Sequence, residues 1–239
     1  MAIIRTTFVA LMLALAILIV LPPLMLWSVI TRKPDLMYYL AMKIVQFGTR
    51  LLGVRVRVEG LENVPSGPCV FVANHASTID PLALVPALPQ RVGIVAKQEL
   101  FRIPVFGRAM RIAQFVPVDR GDKESTTTVV PLAEQYVKQG LSFMFFSEGT
   151  RSPDGRLRPF KRGAFTLAIN AGVPVVPVSI VGAHHLMRKG HSLVYPGDVT
   201  IRFGSPVDAS DYTLEQRGNL LARVEALVAA GLPADQQPA

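Results

Sequence analysis

The sequence predicts an α/β fold, a largely parallel central sheet covered by helices, with an N-terminal membrane-anchoring helical segment. Three observations carry this expectation. From residue 54 onward, short apolar runs of strand length alternate with longer amphipathic stretches. Several of those runs, such as Val70 to Ala73 and Leu141 to Phe146, are apolar almost throughout, as strands buried on both faces are. Between Arg5 and Arg32 there is no charged residue, and Phe8 to Ile30 is almost wholly apolar.

The apolar stretch comes first in the chain. It is long enough to cross a hydrocarbon layer of about 30 Å at about 1.5 Å per residue. A cleaved signal peptide fits poorly, because Trp27, Arg32 and Lys33 stand where a small-residue cleavage site belongs. Pro22-Pro23 inside the run favours a kink or a re-entrant turn. Residues 1–33 therefore read as a transmembrane or re-entrant anchor. Arg32, Lys33, Lys43, Arg50, Arg55 and Arg57 follow it closely, which by the positive-inside rule puts the main domain on the cytoplasmic side of an inner membrane. Residues 34–53 space Leu36, Tyr39, Leu40, Lys43, Ile44, Phe47 and Leu51 as one helix face. That face suits either the lipid interface or the domain core.

Residues 54–231 then read as one domain. Val54 to Val58 alternates with period two, and Cys69 to Ala73 is a buried strand. A helix is expected over Pro81 to Leu88, with Asp80 as its N-cap and Pro81 as its first residue. Strands follow at Arg91 to Ala96 and Phe115 to Val118, separated by a helix over Ile103 to Ile112. A helix over Lys123 to Gln139 contains Pro131; Leu141 to Phe146 is a strand, and Lys161 to Ala171 a helix stopped by Gly172. Strands at Val175 to Val181 and Val199 to Phe203 precede a closing helix over Leu214 to Ala230. No repeat and no second domain is visible. Residues 232–239 read as a flexible tail.

Composition narrows the partners. The chain has 239 residues, a formal net charge of +8, a pI near 10.0 and 50% hydrophobic residues. Together these favour an anionic membrane surface over nucleic acid, for which no motif is present. The single Cys69 excludes an internal disulfide and reads as a small buried residue. His184, His185 and His191 lack any Cys pair or His-Glu-x-x-His spacing, so no metal and no cofactor is expected.

The densest chemistry lies in Asn74-His75-Ala76-Ser77-Thr78-Ile79-Asp80, directly after the apolar run ending at Ala73. On one continuous helix, residues five apart are about 140° around the axis and do not meet. At a strand–turn–helix junction the Asp80 carboxylate can fold back on the His75 ring. A histidine so held is a general base with a fixed tautomer, although such a pair also occurs as a plain structural hydrogen bond. Three more blocks sit at apolar strand ends, where open α/β sheets gather ligand-binding groups: Phe115 to Arg120, Phe145 to Ser152, and Val173 to Val178. No Gly-x-Ser-x-Gly elbow surrounds any serine, so Ser77 and Ser147 read as turn hydroxyls.

In order and separation these four blocks resemble the glycerolipid acyltransferase family, over roughly residues 35 to 210. The resemblance implies that His75 and Asp80 form a His-x4-Asp catalytic dyad. It implies that Val118-Asp119-Arg120 and Glu148-Gly149-Thr150-Arg151 bind a phosphate-bearing acceptor, and that the last block helps shape a pocket. Residues 54–231 would be the acyltransferase catalytic domain. Ser147 stands where the family's third motif usually has proline. The implied reaction moves a fatty acyl group from acyl-CoA or acyl carrier protein to the free hydroxyl of lysophosphatidate, among membrane lipids. Beside it, Asn74 is expected to brace the His turn and Lys97 to add charge. Glu148 is expected to bond the glycerol hydroxyl or position Arg151, and Gly149 to admit the substrate closely. The basic run Arg156, Arg158, Lys161, Arg162 fits lipid phosphates, an acidic carrier protein, or solvent alone. Other acceptors keep the same chemistry, whereas a membrane-bound thioesterase or a non-catalytic lipid-binding module would change the class.

Overall fold

Strand β2 (Val70–Ala73) forms the middle of the molecule because every one of its side chains is apolar. It pairs in parallel with β5 (Ser142–Phe146) on one side and β6 (Val175–Val181) on the other. β3 (Val92–Lys97) and β4 (Val116–Val118) extend the sheet beyond β5; β7 (Gly197–Phe203) and β1 (Val54–Glu59) extend it beyond β6. The order is β1-β7-β6-β2-β5-β3-β4; among these described strands the β6–β7 pair runs antiparallel and the others run parallel. The computed structural model describes residues 1–119 and 123–238, with the backbone alone for 123–127.

Alternation along the strands divides the core in two. Phe71, Ala73, Met144, Val176 and Val178 face one side, under the N-terminal helices, α4 (Ile79–Leu84) and α5 (Phe106–Ile112). Val70, Val72, Phe143, Phe145 and Val175 face the other. That side is covered by α6 (Lys123–Lys138), α7 (Gly163–Ala171) and α9 (Arg217–Ala230). Gly93 sits opposite Phe143 in the β3–β5 register, and the Phe143 ring fills the space a side chain there would need. The short helix α8 (Ala183–Leu186) follows β6 and has no counterpart in the sequence pattern. The helix after the His turn begins two residues before Pro81 and passes into a 3-10 turn at Val85–Ala87.

The apolar N-terminal run forms α1 (Ala2–Ile19) and α2 (Leu21–Thr31), broken at Val20. Pro22 and Pro23 there lack the N–H groups that would bond the preceding turn. By length and composition, Ala2–Thr31 could cross a membrane. Yet its first turns are tied to the α/β domain: Arg5 Nη2 donates to the Val194 carbonyl (3.1 Å), and Val194 N–H to Thr6 Oγ1 (3.2 Å). Both helices pack on α3 (Asp35–Leu51), reached through Arg32 in the left-handed region. α3 uses two faces at once. Met37, Tyr38, Gly48 and Thr49 are buried, whereas Leu36, Tyr39, Leu40 and Phe47 are exposed.

The C-terminal segment also departs from the sequence expectation of a loose tail. Leu232 and Gln236 are buried, and the Gln236 carbonyl accepts from the Leu157 N–H at 2.8 Å. An unpaired backbone group of the 152–160 loop is satisfied this way, a tie that composition does not reveal. Gly93→Ala is expected to destabilise the fold by about 1–3 kcal/mol, because the added methyl overpacks against Phe143. Thermal or urea unfolding reads this directly.

Candidate active site

The parallel pairing of β2 with β5 and β6 brings three loops to one end of the sheet. They follow Ala73, Phe146 and Val181. The first carries the dyad. Asp80 Oδ2 accepts three hydrogen bonds: from His75 Nδ1 at 2.8 Å, and from the N–H groups of Ala76 and Ser77 at 2.7 Å each. Asp80 is therefore inside the first turn of α4 and is not the N-cap expected from Pro81; Thr78 occupies that position. The carboxylate closes the turn backward because the two N–H groups already point at it. A negative group in the first helical turn is also favoured by the helix dipole.

The ring of His75 is fixed from two directions. Nδ1 donates to Asp80, which leaves Nε2 as the basic atom by hydrogen-bond logic. The ring stacks on Phe146, with centroids 4.2 Å apart and planes at 24°. About 9% of the His75 side chain remains accessible, and Nε2 has no partner among the described residues. The base is shielded and still reachable.

Its backbone is clamped by the neighbouring loop. His75 N–H donates to Glu148 Oε1 at 2.7 Å, and the His75 carbonyl accepts from Ser152 N–H at 2.8 Å. Glu148 is thus turned inward onto the His turn, away from the glycerol-binding role expected of it. Burial pushes its carboxyl up to about 8, and the nearby Asp80 charge adds to the rise; the N–H groups of His75 and Arg158 pull the other way. Ser147, also buried, donates its N–H to the Ala73 carbonyl at 3.3 Å, a bond that a proline there could not make. Asn74 spends both ends of its amide on the Ile180 backbone, at 3.0 and 2.7 Å. It braces the turn as expected, with both its oxygen and its nitrogen held by the Ile180 backbone.

Arg151 comes to the dyad loop, where its Nη1 donates to Thr78 Oγ1 at 2.6 Å. Lys189, 38 residues further on, donates to the Arg151 carbonyl at 3.1 Å and to Thr150 Oγ1 at 3.4 Å. Gly149 has φ 73°, and a side chain there would meet the Lys161 side chain at 2.6 Å. Its small size therefore admits Lys161, where a close substrate approach was expected. Lys97 lies outside this group, its ammonium engaged by Glu99 at 2.7 Å with both side chains exposed. Arg120 lies outside the described residues.

Thr78, Phe146, Ser152 and Lys189 escaped the sequence reading. The first three sit inside blocks already singled out, as turn or strand-end residues with no signal of their own. Lys189 belongs to a stretch without any pattern. Cys69 is buried, and burial pushes its thiol up to about 11, so it is a poor nucleophile. Among the described residues, no three His, Cys, Asp or Glu side chains group to hold a metal ion.

A glutamine copies the neutral form of Glu148, so Glu148→Gln should keep the Oε1 contact to His75 N–H. The unfolded chain releases the Glu148 proton near its ordinary value of 4.5, whereas the folded protein holds it to about 8. Native Glu148 therefore lowers stability progressively as pH rises between those values. Compared with Glu148→Gln, the native protein should lose midpoint temperature from pH 5 to pH 8; parallel curves would contradict the inward-facing neutral carboxyl.

Three comparisons bear on this arrangement. A family model described as Acyltransferase matches residues 55–181. A chloroplastic 1-acyl-sn-glycerol-3-phosphate acyltransferase, BAT2, of Brassica napus is 41% identical over 176 residues, covering 72% of this chain and 51% of the relative. The chain thus spans about half the length of that relative. A 1-acyl-sn-glycerol-3-phosphate acyltransferase of Pseudomonas aeruginosa is 32% identical over 177 residues, covering 74% of this chain and 68% of the relative. The crystal structure of the 1-acyl-sn-glycerophosphate (LPA) acyltransferase PlsC from Thermotoga maritima superposes with a TM-score of 0.82 at 30% identity. That match covers 96% of this chain and 94% of the other. With its α/β architecture and the dyad loop at the end of β2, this chain belongs to the acyltransferase family.

Proposed function

We propose that this protein transfers a fatty acyl group from a thioester to the free hydroxyl of 1-acylglycerol-3-phosphate, forming phosphatidate for phospholipid synthesis. One observation carries the reading. A histidine with Nδ1 fixed by a buried carboxylate leaves Nε2 reachable, and an arginine from the neighbouring loop reaches the dyad loop at Thr78. The names of the relatives agree with it.

His75 Nε2 takes the proton of the acceptor hydroxyl as its oxygen attacks the thioester carbonyl carbon. The tetrahedral intermediate then collapses with cleavage of the C–S bond. The proton on His75 passes to the departing thiolate, so the base returns to its starting state. Asp80 steadies the ring while it is charged. No acyl-enzyme is required, because the thioester is already activated.

Arg151 is the acceptor-phosphate ligand in this reading. Its planar donors match a phosphate bidentately, and Lys189 adds charge from the facing loop. Arg120 is assigned to the same acceptor. Thr150 and Gly149 shape the loop, and Glu148 and Asn74 hold the dyad's backbone. Either acyl-CoA or acyl carrier protein supplies a thioester of suitable chemistry. The exposed apolar faces of α1, α2 and α3 seat the protein in an inner membrane, with the catalytic domain on the cytoplasmic side. Lysophosphatidate then reaches the site from the lipid phase.

The test is a panel of lysolipid acceptors with a labelled acyl thioester, with products identified by mass. Phosphatidate should form only when lysophosphatidate is added; release of free fatty acid alone would instead mark a thioesterase. His75→Ala should lower turnover by orders of magnitude while circular dichroism stays unchanged. Arg151→Ala should chiefly raise KM for the phosphorylated acceptor, leaving the KM for the thioester near its native value.

A further inference from the structure

A cavity of about 540 Å³ lies between α3, the edge strand β1 and the α4 helix with its following 3-10 turn. None of the residues that hold the dyad or the acceptor site lines it. Val54, Val56 and Val58 alternate onto one face of β1 and form its wall, opposite Leu82, Pro86 and Ala87. Val56 and Val58 are 37% and 40% exposed. Arg55, Arg57 and Glu59 alternate with them along the strand, so the apolar surface left open on β1 is gathered on the face that lines the cavity. The volume lies within the range of about 300–1,000 Å³ typical of ligand sites.

One end of the groove is cationic. Gly53 lines it and donates its N–H to the Arg50 carbonyl; the Arg50 side chain also lines it. Arg5 Nη1 stands 3.4 Å from where a side chain on Gly53 would begin. Neither Arg5 nor Arg50 has a carboxylate within ion-pair distance among the described residues, and Arg5 Nε is buried with no partner. The neighbouring Arg55, by contrast, is held by Asp198 at 2.7 Å. Phe47 and Leu51, next in sequence to the lining residues Gln46 and Arg50, are exposed on α3.

These features select the ligand. A free phosphate would leave the valines wet, and a neutral lipid would leave two guanidinium groups without a counter-ion. We propose that the groove binds one anionic glycerophospholipid of the surrounding membrane as a fixed neighbour distinct from the substrates. Its phosphate lies at Arg5 and Arg50, where planar donors pair with it. One acyl chain runs along Val54, Val56 and Val58.

The test uses the full chain and phosphatidylglycerol as the probe. Native mass spectrometry counts lipid retained from detergent. Flotation compares vesicles containing phosphatidylglycerol in phosphatidylcholine with vesicles of phosphatidylcholine alone. The native protein should retain one phosphatidylglycerol, and Arg5→Gln with Arg50→Gln should weaken vesicle binding by roughly thirtyfold. Val56→Thr with Val58→Thr, which alters neither charge nor side-chain size, should abolish the retained lipid; circular dichroism confirms its fold. An equal loss of binding in Arg217→Gln with Arg223→Gln, on α9 away from the groove, would reduce the effect to net charge and overturn the proposal. So would retention of phosphatidylcholine to the same extent, or a dimer through β1 that holds no lipid. No arm reads acyl transfer, so this site stands or falls apart from the proposed activity.

Discussion

The hydrogen bonds converging on one oxygen of Asp80 are the constraint on which the site depends. A turn joining a buried strand to a helix must satisfy its own backbone N–H groups, since little water reaches it. Here the Ala76 and Ser77 N–H groups are satisfied by the carboxylate that also holds the His75 ring. Closing the turn and orienting the base are therefore one event. A reorientation of Asp80 would strand two buried donors as well as release the imidazole, which makes the dyad geometry stiff.

That stiffness is extended by the neighbouring loop. The N–H and carbonyl of His75 are both bonded to residues 148–152, and Ser77 Oγ reaches the Met187 carbonyl at 2.8 Å. Three loops that meet at one end of the sheet thus hold one another through backbone groups. Lys189 ties the third loop to the Arg151 carbonyl, so the cation proposed for phosphate and the base proposed for the hydroxyl share one frame. Two substrates placed on such a frame meet at a fixed separation, which is most of what an already activated thioester requires. The same frame accounts for a neutral, buried Glu148. Its carboxyl acts as a spacer between two turns, and full ionisation would set it against Asp80.

The N-terminal helices are built on the opposite principle. α1 and α2 bury little of their own surface, α3 supplies the inner layer, and the apolar residues left over face outward. Because Arg5 and Thr6 grip Val194, the start of the apolar helical run is held at a set position against the α/β domain. The segment carrying Val194 also carries Met187 and Lys189. Whatever seats that run is consequently linked, through one short stretch of backbone, to the loops that shape the site.

Much of this was legible in the sequence because it depends on local pattern. Apolar runs of strand length fixed β2, β5 and β6, and the five-residue spacing of His75 and Asp80 at a strand end announced the dyad. Ser147 showed itself as a departure, and Arg151 as a cation two residues after a glycine. Other features came only from the fold, since they join residues far apart in the chain. Nothing local indicates that Asn74 bonds Ile180, that Lys189 returns to Arg151, or that Gly149 makes room for Lys161. The inward turn of Glu148 belongs to the same class: a carboxylate beside an arginine suggests a binding group until packing shows which backbone N–H it faces. Sequence determines which residues can carry the chemistry through hydrophobic period and residue type. Tertiary structure decides which of them meet, because parallel strands place the ends of distant segments side by side.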